Sequence, residues 1–473
     1  MILVGIYASR KTLSMTQFVV AGRGLPVWLC STTIVATWYG GGTLLGSAGA
    51  AYDGGFLGVI YDPFGASVSL LLLGFFFVRL FRRLKILTVA DFMEQRYGRV
   101  AGVAITIGIM FSNTAWVGSM LVAFAVIFES MTGTPMLVGI VAGAVVIFAY
   151  TAIGGMWAVV LTDFIQMVII VIGIVTLFVV VLIDVGGWGA ILPKLRPDTF
   201  RMLPITNSAE DWLDYARAWA ILGLADLSSQ SLIQRALAAR SERVAQNSFY
   251  LAGIGYLFFG MMPVLLGIVA GVTLPTLAAS EAVIPTLATE HLHPVMVAVF
   301  VGAMLSAIMS SADSALLAIA SMVANNLLPI VKPDATDRTR LLVARLTIPV
   351  CGSLAIVVAL NIQTVYSLMI DSNILLLAAI IVPFIAGVWW RKANRTGALS
   401  AMAAGFVTWV LTMLFLPSMP ADFLGLGACL VTLLIVTPLT QRFDPPRLLR
   451  DSDGKVVDLT DRLGILPLFG RSP

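Results

Sequence analysis

The sequence predicts an all-α polytopic membrane protein, built as two inverted five-helix repeats plus two C-terminal helices and a partial N-terminal helix. Three observations predict it. Of 473 residues, 59% are hydrophobic and only 11% charged, at a mean hydropathy of +0.97, whereas a soluble chain carries roughly 25% charged residues. Basic residues fall almost entirely in alternate connections between apolar runs. Two of those runs carry glycine-bearing interruptions at matching places in the two halves.

Taken in order, residues 1–8 read as the last third of a spanning helix, ended at once by Ser9-Arg10-Lys11. Eight residues cover roughly 12 Å of helix. The stretch is no cleavable signal sequence; either the chain starts upstream or this helix is a stub. Twelve apolar runs follow, at 25–51, 55–78, 100–128, 136–153, 157–183, 212–233, 244–273, 294–328, 343–361, 364–389, 397–417 and 422–441. Each matches the roughly 17 or more residues that a bilayer requires.

Lys and Arg mark cytoplasmic loops. One side collects Arg10, Lys11 and Arg23, then Arg79 to Arg99, Arg235 to Arg243, Lys332 to Arg345, Arg391 to Arg395, and the tail: 25 of the 29 basic residues. The other side keeps Lys194, Arg196 and Arg201 among acids such as Asp53, Glu129, Asp184, Glu281 and Glu290. The basic side is therefore expected to be cytoplasmic, with the C-terminus on it. Run 1 then starts inside and run 6 outside. Residues 25–183 and 212–389 become two inverted repeats, 397–441 adds two helices, and 442–473 is a short cytoplasmic tail beyond a single transmembrane domain, 1–441.

Run 1 carries Trp38-Tyr39-Gly40-Gly41-Gly42 at its middle. Each glycine weakens a helix by up to about 1 kcal/mol relative to alanine. A carbonyl freed there cannot turn to water and needs another partner. Run 6 carries Gly223-Leu224-Ala225-Asp226-Leu227-Ser228-Ser229-Gln230. Paired interruptions in inverted halves point to a transport site; two ordinary glycine kinks are the plainer alternative.

Carboxylates inside membrane runs are costly and usually functional. Here they are Asp62, Asp163, Asp226, Asp313 and Asp371, with no evident Lys or Arg at the same depth, so bound cations could supply the charge. Run 8 places Ala303, Ser306, Ser310 and Asp313 on one face by i+3 and i+4 spacing. Sodium is a hard cation that takes oxygen ligands. Two hydroxyls here, with carbonyls freed in run 1, could cage one; the serines could equally join helices. Asp163 lies in the cytoplasmic half of run 5, as Ser310 does in run 8. The two could form a second ion or proton site, or Asp163 could reach cytoplasmic water.

Other signals carry less. Cys30, Cys351 and Cys429 sit in apolar runs, which argues against disulfides or zinc. A membrane enzyme would need clustered His, Cys or carboxylates, and the two histidines, His291 and His293, share one loop. The tail is too short for a sensor kinase, and occluding breaks argue against a channel. Nothing points to nucleic acid.

Five motifs in order resemble the sodium:solute symporter family: AGRGLP at 21–26, ATWYGGGTLLG at 36–46, GGMWAVVLTDFIQ at 154–166, QRALAARS at 234–241 and MSSADSALLA at 309–318. They look most like the branch with high-affinity choline transporters and many bacterial members. The resemblance implies the leucine-transporter-type fold and a sodium-coupled symporter that moves a small solute inward by alternating access. Sodium is the coupling ion, no other cofactor is implied, and a monomer in a bacterial cytoplasmic membrane is expected. It implies a main sodium site from carbonyls of Ala36, Tyr39 and Ala303 and the Ser306 hydroxyl. Ala307 stands where many members carry a further hydroxyl, which leaves proton coupling open. It implies a second sodium site at Asp163 and Ser310. The solute is expected against both breaks, at Trp38, Gly40, Gly41, Thr43, Asp226, Ser229 and Gln230, with Asp62 opposite. Trp38 and Asp62 would suit a cationic amine. The run 6 tryptophan of choline transporters aligns with Ser229, so a choline-type cage is incomplete.

Overall fold

Polar side chains set where many helices begin, by taking up amide groups that have no partner at a helix start. The computed structural model describes residues 14–464 except 207 and 363, and leaves out the side chains of residues 150, 153 and 154. The partial N-terminal helix expected at 1–8 lies outside the described residues. Ser14 caps α1 (Met15–Val20), accepting from the Gln17 amide at 3.3 Å. A left-handed turn leads to α2 (Val27–Trp38), which ends at the expected break. Tyr39 has φ −73° and ψ 70°, and the Gly40 amide turns to the Trp38 carbonyl at 2.7 Å. A wide π-type turn, Gly42–Ser47, continues into α3 (Ala48–Gly58). The chain then bends by 77° into a second π-type turn, Ile60–Gly65, and α4 (Ala66–Phe76).

After α5 (Val78–Leu84), α6 (Val89–Tyr97) opens on a reciprocal capping box between Thr88 and Asp91. Then come α7 (Arg99–Thr132) and α8 (Met136–Asp184), the latter bent at Gly155 (φ 62°) into arms Met136–Ala149 and Gly155–Asp184. A Cβ on Gly155 would collide with the Phe18 ring, so glycine serves both the turn and the close approach. The second break follows α9 (Ala209–Gly223): a 3-10 turn, Ala225–Ser228, and extended Ser229 (φ −63°, ψ 120°) precede α10 (Gln230–Ala238). The rest of the chain forms α11 (Glu242–Thr273), α12 (Val283–His291), α13 (Pro294–Met322), α14 (Asp337–Asn361), α15 (Val365–Asp371), α16 (Ile381–Trp389), α17 (Arg395–Phe415) and α18 (Ala421–Thr440).

Among the described residues, eight helices are long and apolar enough to cross a membrane, or nine with the bent pair after the first break. The sequence suggests twelve. The shortfall falls on runs 1, 2, 4 and 6, and each has a local cause. Breaks at Tyr39 and at 224–229 divide runs 1 and 6, non-helical Asp62 beside Pro63 divides run 2, and the Gly155 turn leaves only Met136–Ala149 in run 4. Around the first break, α13 packs on α7 and α8, while α11 packs on α2, α3 and α4; α17 and α18 pack chiefly on each other. The residues after α18 return to the α5 end, where Arg83 donates to the Asp458 and Thr460 carbonyls and Lys85 pairs with Asp453 at 2.6 Å.

The three glycines at the first break face three helices. A Cβ on Gly40 would strike Ser311 of α13, on Gly41 Ala123 of α7, and on Gly42 Met369 of α15. Gly41 itself has ordinary helical angles (φ −59°, ψ −39°), so thinness rather than freedom explains it. Gly41→Ala should therefore overpack against the rigid Ala123 methyl, at a cost of about 1–3 kcal/mol. Its thermal midpoint in detergent should fall by several degrees; an unshifted midpoint would show that this contact carries no strain.

Candidate functional site

In an unbroken helix the Gly40 amide would bond the Ala36 carbonyl. It bonds Trp38 instead, and the freed Ala36 carbonyl accepts from Ser311 Oγ of α13 at 3.2 Å. Gly40 makes this possible, since any side chain there would displace Ser311. Of the expected sodium ligands, Ala303 is buried on the same helix and Ser306 is half-buried, without a hydrogen bond among the described residues. The Tyr39 side chain points away from α13: its hydroxyl donates to the Phe259 carbonyl at 3.1 Å and its ring meets Tyr256 edge-on. Helix spacing pointed to the Ser306–Ser310–Asp313 line and passed over Ser311, which reaches the break from the adjoining face.

Asp163 is fully buried, and both Thr33 and Ser310 donate to its carboxylate. The pairing with Ser310 matches the expected grouping. One expectation is corrected: Asp163 does have a cation at its depth. Arg235 of α10, also fully buried, places Nη2 at 4.0 Å from Asp163 Oδ2. The same guanidinium donates to Ser314 Oγ and to the Ser231 carbonyl at 2.9 Å. The positive inside pattern placed Arg235 at the cytoplasmic edge, but the short α10 carries it inward.

A constricted cavity of about 10 Å³, room for about one water molecule, lies between the two breaks. Trp38, Asp226 and Ser229 line it, as expected. The sequence analysis missed the rest of its wall, chiefly Ser112, Asn113 and Trp116 from α7, Ser231 from α10, and Asn373. A polar cluster, Ser112-Asn113-Thr114, inside an apolar run was the available signal. Ser112 Oγ donates to Asn373 Oδ1 at 3.4 Å, and Asn373 Nδ2 donates to Asp226 Oδ2 at 3.3 Å. Ser229 and Ser231 share a hydrogen bond at 2.9 Å.

Other expected solute residues lie outside the cavity wall. Gly40 and Gly41 are covered by α13 and α7. Gln230 holds α10 to the α5–α6 turn, accepting from the Val89 amide at 2.7 Å and donating to the Leu87 carbonyl. Asp62 is buried and accepts from Thr43 and Ser47 at 2.8 Å and from Tyr256 at 2.7 Å. Those three hydroxyls occupy most of its acceptor positions, and they tie the helix after the first break to α11. Asp371, read as intramembrane, ends α15 and is exposed. Arg217 pairs with Asp214 and Asp422, not with Asp226.

Both the sequence and the overall fold are similar to those of known proteins. The profile of the sodium:solute symporter family matches residues 18–405. A human high-affinity choline transporter is 28% identical over 85% of this chain and 73% of its own. A sodium/pantothenate symporter of Haemophilus influenzae is 26% identical over 84% of each. A sodium-coupled sialic acid symporter, solved substrate-bound and outward-open, superposes with TM-score 0.79 at 19% identity over 94% of this chain and 96% of its own. The chain is a multi-pass membrane protein that belongs to the sodium:solute symporter family.

Proposed function

We propose that the chain moves a small organic solute into the cell with sodium, by alternating access through the cavity between the two breaks. The observation that carries this reading is the Ala36 carbonyl, released by the first break and turned toward α13 beside that cavity. Sodium would gather the Ala36, Tyr39 and Ala303 carbonyls and the Ser306 hydroxyl, joining α2 to α13. Bound there, it would hold the first break in the shape that presents Trp38 to the solute; solute would then draw the α9–α10 break against it. Family membership and the likeness to sodium-coupled relatives support this order of events.

The arrangement rests on residues 25–183 and 212–389 as inverted repeats, with the Arg79–Lys85 end and the tail in the cytoplasm of a bacterial plasma membrane. The charge asymmetry of the loops supports that orientation. A single chain holds every group the mechanism uses. Proton coupling is the second reading, favoured by Ala307, which removes one hydroxyl from the ion site. At Asp163 an ion would have to share the carboxylate with Arg235, which makes that position a charge-paired tie first and an ion site second.

Radiolabelled sodium binding to the purified protein tests the main site. Ser306→Ala should raise the half-saturating sodium concentration about tenfold, equivalent to roughly 1.4 kcal/mol, and Ala307→Ser should lower it. Unaltered sodium binding in both variants would reject the site. A second expectation concerns the buried pair. Asp163→Asn or Arg235→Gln alone leaves a charge unpaired, at about 3–5 kcal/mol. The double variant should recover most of the lost thermal midpoint; strictly additive losses would mean the two groups do not interact.

A further inference from the structure

The cavity wall holds one carboxyl side chain, and no cation among the described residues answers it. Asp226 is 5% exposed, and the only hydrogen-bond partner of its carboxylate among the described residues is the Asn373 amide, at 3.3 Å. No Lys, Arg or His among them comes within 4.0 Å of it. The two nearest candidates in the sequence are committed elsewhere: Arg217 to Asp214 and Asp422, Arg235 to Asp163, Ser314 and the Ser231 carbonyl. A buried carboxylate left without a cation costs several kcal/mol, and intramembrane carboxylates of this kind mark cargo and ion paths.

The surroundings narrow what could answer it. Trp38 and Trp116 supply aromatic faces, and the remaining polar wall is hydroxyl and amide. That wall offers hydrogen-bond donors but no cationic group to balance an anion's charge. Toward the other end of α9 a separate, larger pocket is lined by Asp211, Asp214, Tyr61 and Tyr215. A carboxylate offers about four acceptor positions, of which Asn373 uses one. Charge-assisted hydrogen bonds are roughly twice as strong as neutral ones, so an N–H-bearing cation gains more here than a quaternary one.

Building on the solute site proposed above, we infer that the cargo is a small organic cation whose charged nitrogen carries N–H: a primary to tertiary ammonium, or a guanidinium. Asp226 accepts from that nitrogen, Asn373 orients the carboxylate through Ser112, and the two tryptophans face the cation's flanks. Carboxylate solutes are repelled, and uncharged solutes leave Asp226 unsatisfied.

The test is thermal stabilisation of the purified full-length protein, in sodium, by matched compounds on hydroxyethyl and butyl skeletons. Each skeleton carries in turn a primary ammonium, a guanidinium, a trimethylammonium, a hydroxyl and a carboxylate. At least one N–H cation should half-saturate at a concentration at least about tenfold below its trimethylammonium, hydroxyl and carboxylate counterparts, the margin that one charge-assisted bond gives. Asp226→Asn should erase that margin. The proposal is overturned if a carboxylate or hydroxyl compound binds best, if no N–H cation stabilises, or if the variant keeps the margin. Loss of sodium binding in Asp226→Asn would overturn it too, by assigning the carboxylate to the coupling ion. Replacing sodium with potassium separates the two readings: an N–H preference that ignores sodium would remove coupling yet leave the cargo class standing.

Discussion

The whole site depends on one peptide carbonyl that has no water to turn to. Once α2 stops at Trp38, Ala36 must be satisfied from another helix, and Ser311 does it. That single bond dictates what surrounds it. Gly40 has to be bare for Ser311 to enter, Gly41 for Ala123, and Gly42 for Met369. The break is thus the place where α7, α13 and α15 all touch one stretch of backbone. A displacement of any of the three must be felt there, which is the coupling that an ion-driven carrier requires.

The place of each break along its apolar run was legible in the sequence; direction around each helix, and the depth of Arg235, were not. The apolar runs, the two breaks and the polar residues within them are one-dimensional features, and they fell where the pattern put them. Partners across helices depend on rotation and tilt, which a spacing rule resolves only to a face. Hence Ser310 was paired with Asp163, whereas Ser311, one residue on, was overlooked. Arg235 was read as a loop cation, because the charge pattern says which side a residue lies on and not how far a short helix such as α10 carries it inward. Trp116 belongs to run 3, which has no break to draw attention to it, and Asn373 lies in the short turn that follows α15. The count of spans failed for a related reason: hydropathy averages across a broken helix as if it were whole.

Three of the buried carboxylates, Asp62, Asp163 and Asp226, are handled in three ways, and the differences sort their roles. Asp62 accepts from the hydroxyls of Thr43, Ser47 and Tyr256; a group so well bonded fixes the exit of the first break against α11. Asp163 has hydroxyls and a guanidinium, and it links α2, α8, α10 and α13. Asp226 has one amide. The least satisfied of the three is the one that faces the cavity, which is the ordering expected if satisfaction is withheld where cargo must supply it.

The first half of the first broken helix and the second half of the other, α2 and α10, are joined by their own backbones. The Leu25 amide bonds the Ala238 carbonyl and the Arg240 amide bonds the Leu25 carbonyl, each at 3.0 Å, with Cys30 Sγ donating to the Arg235 carbonyl nearby. In the symport we propose, α2 and α10 would therefore swing as one body. What holds that body against α8 and α13 is side-chain bonding: Thr33 to Asp163, Arg235 to Asp163, Arg235 to Ser314, and Ser311 to Ala36. Each of these ties joins groups that an aqueous opening would solvate. Water entering from the Arg240 side would exchange protein partners for its own molecules at little net cost, while the backbone bridge stays intact. The opening motion is thereby channelled into a rotation of two half-helices together, and the ion beside Ala36 becomes the remaining restraint whose departure lets it proceed.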